Sequence, residues 1–416
     1  MRSAAARGFL VLVLGLLLAP TAHADPDDAA GARAPSAEPG NREPTRGYPL
    51  GRTLSPITPE IAAHLRDVAS SAERRDDVFV KVGDSMSQSR AFMTCFSGDT
   101  VDLDGRTHLR ETLELFRGGD AGGVDPFVRD SEATAVGWRA MSVLRGPLDR
   151  ELRQTRPRFA TLMLGTNDMQ SGRPWVFARR MWRIVDRLLD NGTIPIMSSI
   201  LPRDDDPDRD QDVPLYSLVA RALAAGRAVP FIDYRREMER LPRRGLAGDG
   251  LHANVHVVGG RGRGCDFTSA GLAHGHNVRN LLHLRMLDRL RRVVIEGERA
   301  PDPARAPERG AGTETDPFRI EKVPYTVLRP AAGQPDAYRV TLPARARVHV
   351  RAFVRSGAPA ELTVGERTSS GRRGIVADLP AGQHAIRVAA PEGAGEYMLL
   401  VDRLLPAPIR QNPYAE

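Results

Sequence analysis

Val78-Phe79-Val80-Lys81-Val82-Gly83-Asp84-Ser85 decides how the chain is read. A short β-rich run that stops at a glycine reads as a buried strand ending in a turn. A serine at the carboxyl end of the first strand of an open α/β sheet stands where such sheets bind ligands. If a helix follows, the Ser85 amide also points into that place and can stabilise an oxyanion. Taken alone, Gly-Asp-Ser is equally an ordinary turn with a helix cap.

Working outward, order begins near Thr58, an N-cap followed by Pro59 at the first helical position, with Ile61, Leu65 and Val68 at helical spacing. Downstream, Phe159 to Leu164 is a second apolar run, bounded by Pro157 and Gly165. Pro174 to Asp190 places Phe177, Met181, Ile184, Val185 and Leu188 on one helical face, and Asn191-Gly192 ends it. Ile194 to Ile200 and Val229 to Tyr234 are further strands, and a long helix is expected from about Thr268 to Glu296. Strands alternating with helices predict a parallel sheet covered on both faces.

Two further stretches can do chemistry. Gly165-Thr166-Asn167-Asp168 follows its strand directly, so Asn167 can donate its side-chain N–H to a developing negative charge. The alternative there is an Asx turn, with Asp168 capping the next helix. Asp249-Gly250-Leu251-His252 puts a carboxylate three residues before a histidine, close enough for one turn to present both. A catalytic His needs such a carboxylate to fix its tautomer and to stabilise imidazolium.

In this order the stretches resemble the blocks of the SGNH (GDSL-like) hydrolase family over roughly residues 75–295. Gly83-Asp84-Ser85 is similar to the nucleophile block, Gly165-Thr166-Asn167-Asp168 to the Gly-x-Asn-Asp block, and Asp249 with His252 to the Asp-x-x-His block. A glycine donating a backbone N–H completes the family pattern. Gly137, about thirty residues before Asn167, is the candidate, with Gly118, Gly119, Gly122 and Gly123 as competitors. The resemblance implies a flavodoxin-like three-layer α/β/α sandwich with a parallel sheet. It also implies a Ser85-His252-Asp249 triad with an oxyanion hole from Ser85, Gly137 and Asn167, needing neither metal nor organic cofactor. Met86 departs from the family's namesake Leu, and a Gly-rich insertion, 255–264, follows His252 where the family often continues with Pro and Asn.

Residues 1–24 read as a signal peptide: Arg2 and Arg7, an apolar run from Phe9 to Leu18, then Ala22-His23-Ala24. That run is too short to span a bilayer, and no later segment is apolar enough to do so. The protein is therefore expected to be exported, to the periplasm or beyond the cell. In an oxidising compartment the only two cysteines, Cys95 and Cys265, read first as a disulfide. Such a bridge would tie the insertion to the helix behind Ser85.

The formal charge of +7 hints at nucleic acid, but Lys81 and Lys322 are the only lysines and the arginines are interleaved with 52 acids. No basic stripe supports a nucleic-acid partner. His252, His256, His274 and His276 lack the Glu of a zincin motif. The acidic run 204–212 puts Val213 and Val219 where an EF-hand loop from Asp208 needs Gly and Glu. It reads as a solvated loop at the mouth of the site, disfavouring anionic substrates.

Beyond 316 the period becomes two: Ala344, Ala346, Val348, Val350 and Ala352 alternate with polar residues, and Tyr397, Leu399 and Val401 repeat the pattern. This is a small antiparallel β-sandwich. Asp336-Ala337-Tyr338-Arg339-Val340, Leu379-Pro380-Ala381-Gly382 and Gly395-Glu396-Tyr397 resemble bacterial pre-peptidase C-terminal domains, which implies contact with a cell surface or polysaccharide. The expected layout is signal peptide 1–24, disordered linker 25–57, hydrolase domain 58–298, linker 299–315, sandwich 316–405 and tail 406–416. The functional expectation is an exported serine esterase acting on short acyl groups, on an acetylated glycan or a lipid ester. The alternatives are a lipid esterase or phospholipase of the same fold, and a non-catalytic surface-binding protein on a retired hydrolase scaffold.

Overall fold

The structure is a computed structural model that describes residues 47–305 and 308–404. The signal segment 1–24, most of the 25–57 linker and the 406–416 tail lie outside the described residues.

Four parallel strands, β1 (Arg75–Gly83), β2 (Pro157–Met163), β3 (Ile194–Ser198) and β4 (Phe231–Ile232), lie side by side in that order. On the free side of β1, Thr134 forms a single parallel bridge to Gly83. Counting that bridge as a second strand worn down to one residue, the order becomes 2-1-3-4-5, the flavodoxin-like arrangement. Every residue of β2 and β3 is buried, as a parallel sheet covered on both faces requires.

The helices are α1 (Pro59–Ser70), α2 (Ser85–Gln88), α3 (Arg110–Arg117), α4 (Ala140–Leu144), α5 (Pro147–Thr155), α6 (Pro174–Asp190), α7 (Pro207–Asp210), α8 (Val213–Gly226), α9 (Tyr234–Met238) and α10 (Gly275–Leu290). α1, α3 and α10 pack together on one face of the sheet, and α5, α6 and α8 on the other. Thr58 caps α1 by accepting from the Ile61 amide, and Pro59 opens the helix.

The last helix starts later than its periodicity suggests. Asp266 holds Thr268 through both its amide and its hydroxyl, which keeps that segment in a turn. Asn254 then caps α10, its side chain accepting from Gly275 N at 2.8 Å and its carbonyl from His276 N at 2.8 Å. The intervening insertion is a small exposed hairpin of β5 (Val257–Val258) and β6 (Arg261–Gly262).

Nine further strands, β7 (Phe318–Ile320), β8 (Tyr325–Pro330), β9 (Asp336–Leu342), β10 (Ala346–Val354), β11 (Glu361–Val364), β12 (Arg367–Ser369), β13 (Ile375–Leu379), β14 (Gly382–Ala389) and β15 (Glu396–Arg403), make two stacked sheets, ordered β13-β10-β15-β8 and β12-β11-β14-β9-β7. All pairs are antiparallel except β7 with β9. Asp336, Tyr338 and Tyr397, singled out in the sequence, join in one buried hydrogen-bond chain between the sheets.

Both stretches expected to be linkers hold ordered, packed residues. Tyr48 is buried with its hydroxyl on Val229 O at 2.7 Å, and Ser55 N reaches Phe231 O at 2.9 Å, so residues 48–55 flank β4. Asp302 accepts from Ile57 N at 2.8 Å and Arg52 at 2.8 Å, and pairs with Arg289. Proline- and glycine-rich composition hid these anchors, because each depends on one polar contact with a distant segment.

The sandwich packs directly on the α/β layers. Leu328, Phe353, Met398 and Leu400 join the α/β core, and a side chain at Gly226 would collide with Leu328. Arg227 bridges Asp186 at 2.7 Å and Glu396 at 2.6 Å, and Arg355 closes the cluster onto the same two acids. No helix among the described residues is long and apolar enough to cross a membrane.

Candidate active site

β1 delivers Ser85 to the carboxyl edge of the sheet, and Asp84 turns the chain there. Its buried carboxylate caps the one-turn helix α2, accepting from Met86 N at 3.1 Å. Burial lifts the Asp84 carboxyl to about 6, against the pull of the Met86 amide and the Arg279 guanidinium.

From the far side, the 249–252 turn brings up its histidine. Ser85 Oγ lies 3.0 Å from His252 Nε2, and His252 Nδ1 lies 2.7 Å from Asp249 Oδ2. Asp249 Oδ1 also accepts from the Leu251 and His252 amides, each at 3.0 Å. Partial burial works against the charge on Asp249, but these donors outweigh it and bring the carboxyl down to about 2. An ionised acid on Nδ1 requires the proton there, which leaves Nε2 to accept from the Ser85 hydroxyl.

The acidic run backs this turn. Gly250 has φ +67°, its carbonyl accepts from Asp204 N at 2.7 Å, and a Cβ on it would lie 2.8 Å from Asp205 N. The run's charge is largely answered: Arg203 pairs with Asp205, Arg209 with Asp206, and Arg244 with both Asp204 and Asp210. It therefore serves as a salt-bridged buttress for Asp249 and His252. The solvated, anion-repelling loop expected from composition misses those arginine partners.

Asn167 lies on the opposite wall. Its amide nitrogen donates to Trp138 O at 3.1 Å and approaches Asp84 Oδ2 at 3.5 Å. Next to it, Asp168 is buried and accepts from Ala140 N with both oxygens, so it caps α4 rather than the helix that follows it. Burial raises its carboxyl to about 6. On the other side, Gln88 of α2 accepts from Val136 N at 3.0 Å. Gly137, at φ +74°, is thus pinned between a residue tied to α2 and a residue tied to Asn167. Neither the Ser85 amide nor the Gly137 amide has a hydrogen-bond partner among the described residues. The competing glycines lie elsewhere: Gly119 packs against Asp77 O, near the start of β1, and Gly122 against Arg129.

Three supporting residues carried no local signal. Arg279 of α10, fully buried, donates to Met86 O and Ser87 Oγ and stacks 3.6 Å from the Phe92 ring, bracing α2 from behind. Gln88 and Asn254 act only through contacts with distant backbone. A Cys95–Cys265 disulfide links the segment after α2 to the insertion, and Asn280 reinforces the link through Ala91 O at 2.9 Å and Gly264 O at 3.0 Å. His256 pairs with Asp266 at 2.8 Å, and His276 is buried, which lowers it to about 3.

Ser85 opens onto a cleft of about 670 Å³, lined with Gln88, Ser89, Arg90 and Val136 among others. Residues 119–256, a third of the chain, match the family model described as GDSL-like Lipase/Acylhydrolase. This part of the chain is similar to the GDSL-like lipase/acylhydrolase family. The GDSL-like match takes in Gly137, Asn167, Asp249 and His252 and begins after Ser85, which joins them through the geometry just described.

Among solved structures, a GDSL-like lipase from Bacteroides thetaiotaomicron is similar at 15% identity, over 55% of this chain and 98% of that one, with a TM-score of 0.35. An acetylxylan esterase from Geobacillus stearothermophilus is similar at 13%, over 50% and 93%, with a TM-score of 0.33. The pre-peptidase C-terminal domain of a Bacillus anthracis collagenase is similar at 12%, over 21% and 96%, with a TM-score of 0.19. No curated protein sequence matches the chain.

Proposed function

We propose that the protein is an exported serine esterase that removes short acyl groups, acetyl above all, from a hydrated substrate. The observation that carries this reading is the continuous chain Asp249–His252–Ser85, with the Ser85 and Gly137 amides left without a partner among the described residues. In the first half-reaction His252 Nε2 takes the Ser85 hydroxyl proton as Oγ attacks the ester carbonyl carbon. The oxyanion is received by the Ser85 and Gly137 amides and the Asn167 side chain. When the tetrahedral adduct collapses, the C–O bond to the alcohol breaks and His252 returns the proton to the leaving alkoxide. In the second half-reaction His252 deprotonates a water that attacks the acyl-serine, releasing the acid and restoring Ser85. Asp249 holds the imidazole and offsets the imidazolium charge in both.

Export rests on the 1–24 signal pattern, and a disulfide closing 170 residues of chain suits an oxidising compartment. The hydroxyl, amide and charged groups around Ser85 favour a glycan ester over a long-chain lipid. The test is labelling with a fluorophosphonate probe followed by peptide mapping. Modification of Ser85, together with turnover of p-nitrophenyl acetate, is expected. An unlabelled, inactive folded protein would favour the non-catalytic binding protein instead.

A further inference from the structure

Lys81 stands out among the groups the esterase chemistry does not use. It sits on β1, just before the turn that carries Ser85, and is only 6% exposed. Its Nζ donates to Phe127 O at 2.7 Å, the one acceptor it has among the described residues. Among the described residues no carboxylate comes within ion-pairing distance. Asp125 acts on it only from further away and gives its Oδ1 to Ser97, Phe127 N and Val128 N. Asp130, the other acid that acts on it, is exposed at the rim. A buried charge without a counter-ion is costly, and such groups are normally paired or serve a ligand.

Lys81 lines the same cleft as Ser85. Burial, together with Arg279, lowers its ammonium to about 8, which still leaves most of it charged at neutral pH. Arg90, just beyond α2, is exposed on the same lining and has no acid partner among the described residues. Arg129, the third cation of the cleft, is already committed to Glu151 at 3.1 Å. The polar lining of Gln88, Ser89 and Thr94 suits sugar hydroxyls.

We propose that the cleft accepts an acetyl ester on an acidic glycan, with the uronate carboxylate taken up by Lys81 and steered in by Arg90. The proposal rests on the esterase reading and names its substrate class. In the pairing, the sugar carboxylate supplies the missing counter-ion while the acetylated hydroxyl lies over Ser85. The bond broken is the same ester bond, and water remains the only co-reactant.

The experiment compares kcat/KM for acetylated polygalacturonate and for acetylated xylan, with p-nitrophenyl acetate reporting the chemistry. The wild type is expected to favour the anionic polymer by about tenfold or more at low salt, and to lose most of that preference in 0.5 M NaCl. Lys81→Met should raise KM for acetylated polygalacturonate about tenfold with a smaller change in kcat, and Arg90→Ala about threefold. Should Lys81→Met not fold, as its melting curve would reveal, Arg90→Ala and protection of Ser85 from the fluorophosphonate by oligogalacturonate still decide the matter. Equal kcat/KM on the two glycans in the wild type, or an undiminished preference in folded variants, overturns the proposal while leaving the esterase standing. Loss of both labelling and p-nitrophenyl acetate turnover in the wild type removes the esterase reading, and the proposal with it.

Discussion

Two acid–histidine pairs stand within a short stretch of this chain, and they face different surroundings. Asp249–His252 and Asp266–His256 have nearly the same hydrogen bond, 2.7 and 2.8 Å. In the first, the far nitrogen meets Ser85 at the edge of a cleft. In the second, the ring lies 5.0 Å from that of His274, and the acid's other oxygen is taken up by Thr268. The lesson is that an aspartate orients an imidazole equally well for anchoring a loop and for chemistry. What the far nitrogen faces decides between the two.

That contrast can be broken experimentally, starting where the effect is largest. His252→Ala should lower kcat/KM for p-nitrophenyl acetate by about 10⁴-fold or more, because serine and histidine act as a unit. Steady-state kinetics on protein with an unchanged circular dichroism spectrum would check it. Asn167→Ala should cost about 10²–10³ in kcat with little change in KM, the signature of a donor used mainly in the transition state. His256→Ala, the matched control, should change kcat/KM by less than about threefold. It should lower Tm by about 1 °C, as expected for about 1 kcal/mol in a chain of this size.

The smallest effect is a pH dependence. Asp249 titrates lower in the folded chain, at about 2, than its ordinary 3.8. Its stabilising contribution is therefore present above about pH 4 and lost as the pH falls towards 2. The carboxyl is mostly exposed, so the term is small. Asp266, likewise held below its ordinary value against partial burial by Thr268 and His256, follows the same sign. Asp249→Asn should flatten the acid limb of the Tm profile slightly, and Asp266→Asn should do the same. A steeper limb in either variant would contradict the assignment.

Most of the parallel sheet was legible because its strands are unbroken apolar runs ending in Gly or Pro punctuation, and α6 was legible to the residue because its apolar face repeats cleanly. The strand beside β1 was not, since a single bridge at Thr134 has no period to read. β4, only Phe231–Ile232, nearly escaped for the same reason. The seam with the sandwich had left a trace. Tyr397 to Val401 is apolar at every position, as a strand covered on both faces must be, yet alternation alone draws the eye to every second residue.

The site divides along similar lines. Ser85, Asn167, Asp249 and His252 carry functional groups at strand ends and in one tight turn, so local spacing pointed to them. Gly137 could be separated from its competitors only through what holds its neighbours, Gln88 and Asn167. Arg279 carried no signal in its own stretch of sequence. Its value lies in the Met86 carbonyl it holds, nearly two hundred residues away in sequence.

The seam at α8 has a consequence for the order in which the molecule can be completed. The face of α8 around Gly226 is covered by β8 and β15, and β15, at Glu396–Arg403, is the last strand among the described residues. As the polypeptide is made from its amino end, that apolar face stays wet until the strands that follow it have been made. Closure of the α/β layers thus waits on strands made well after them, and the two domains should melt together in one calorimetric transition.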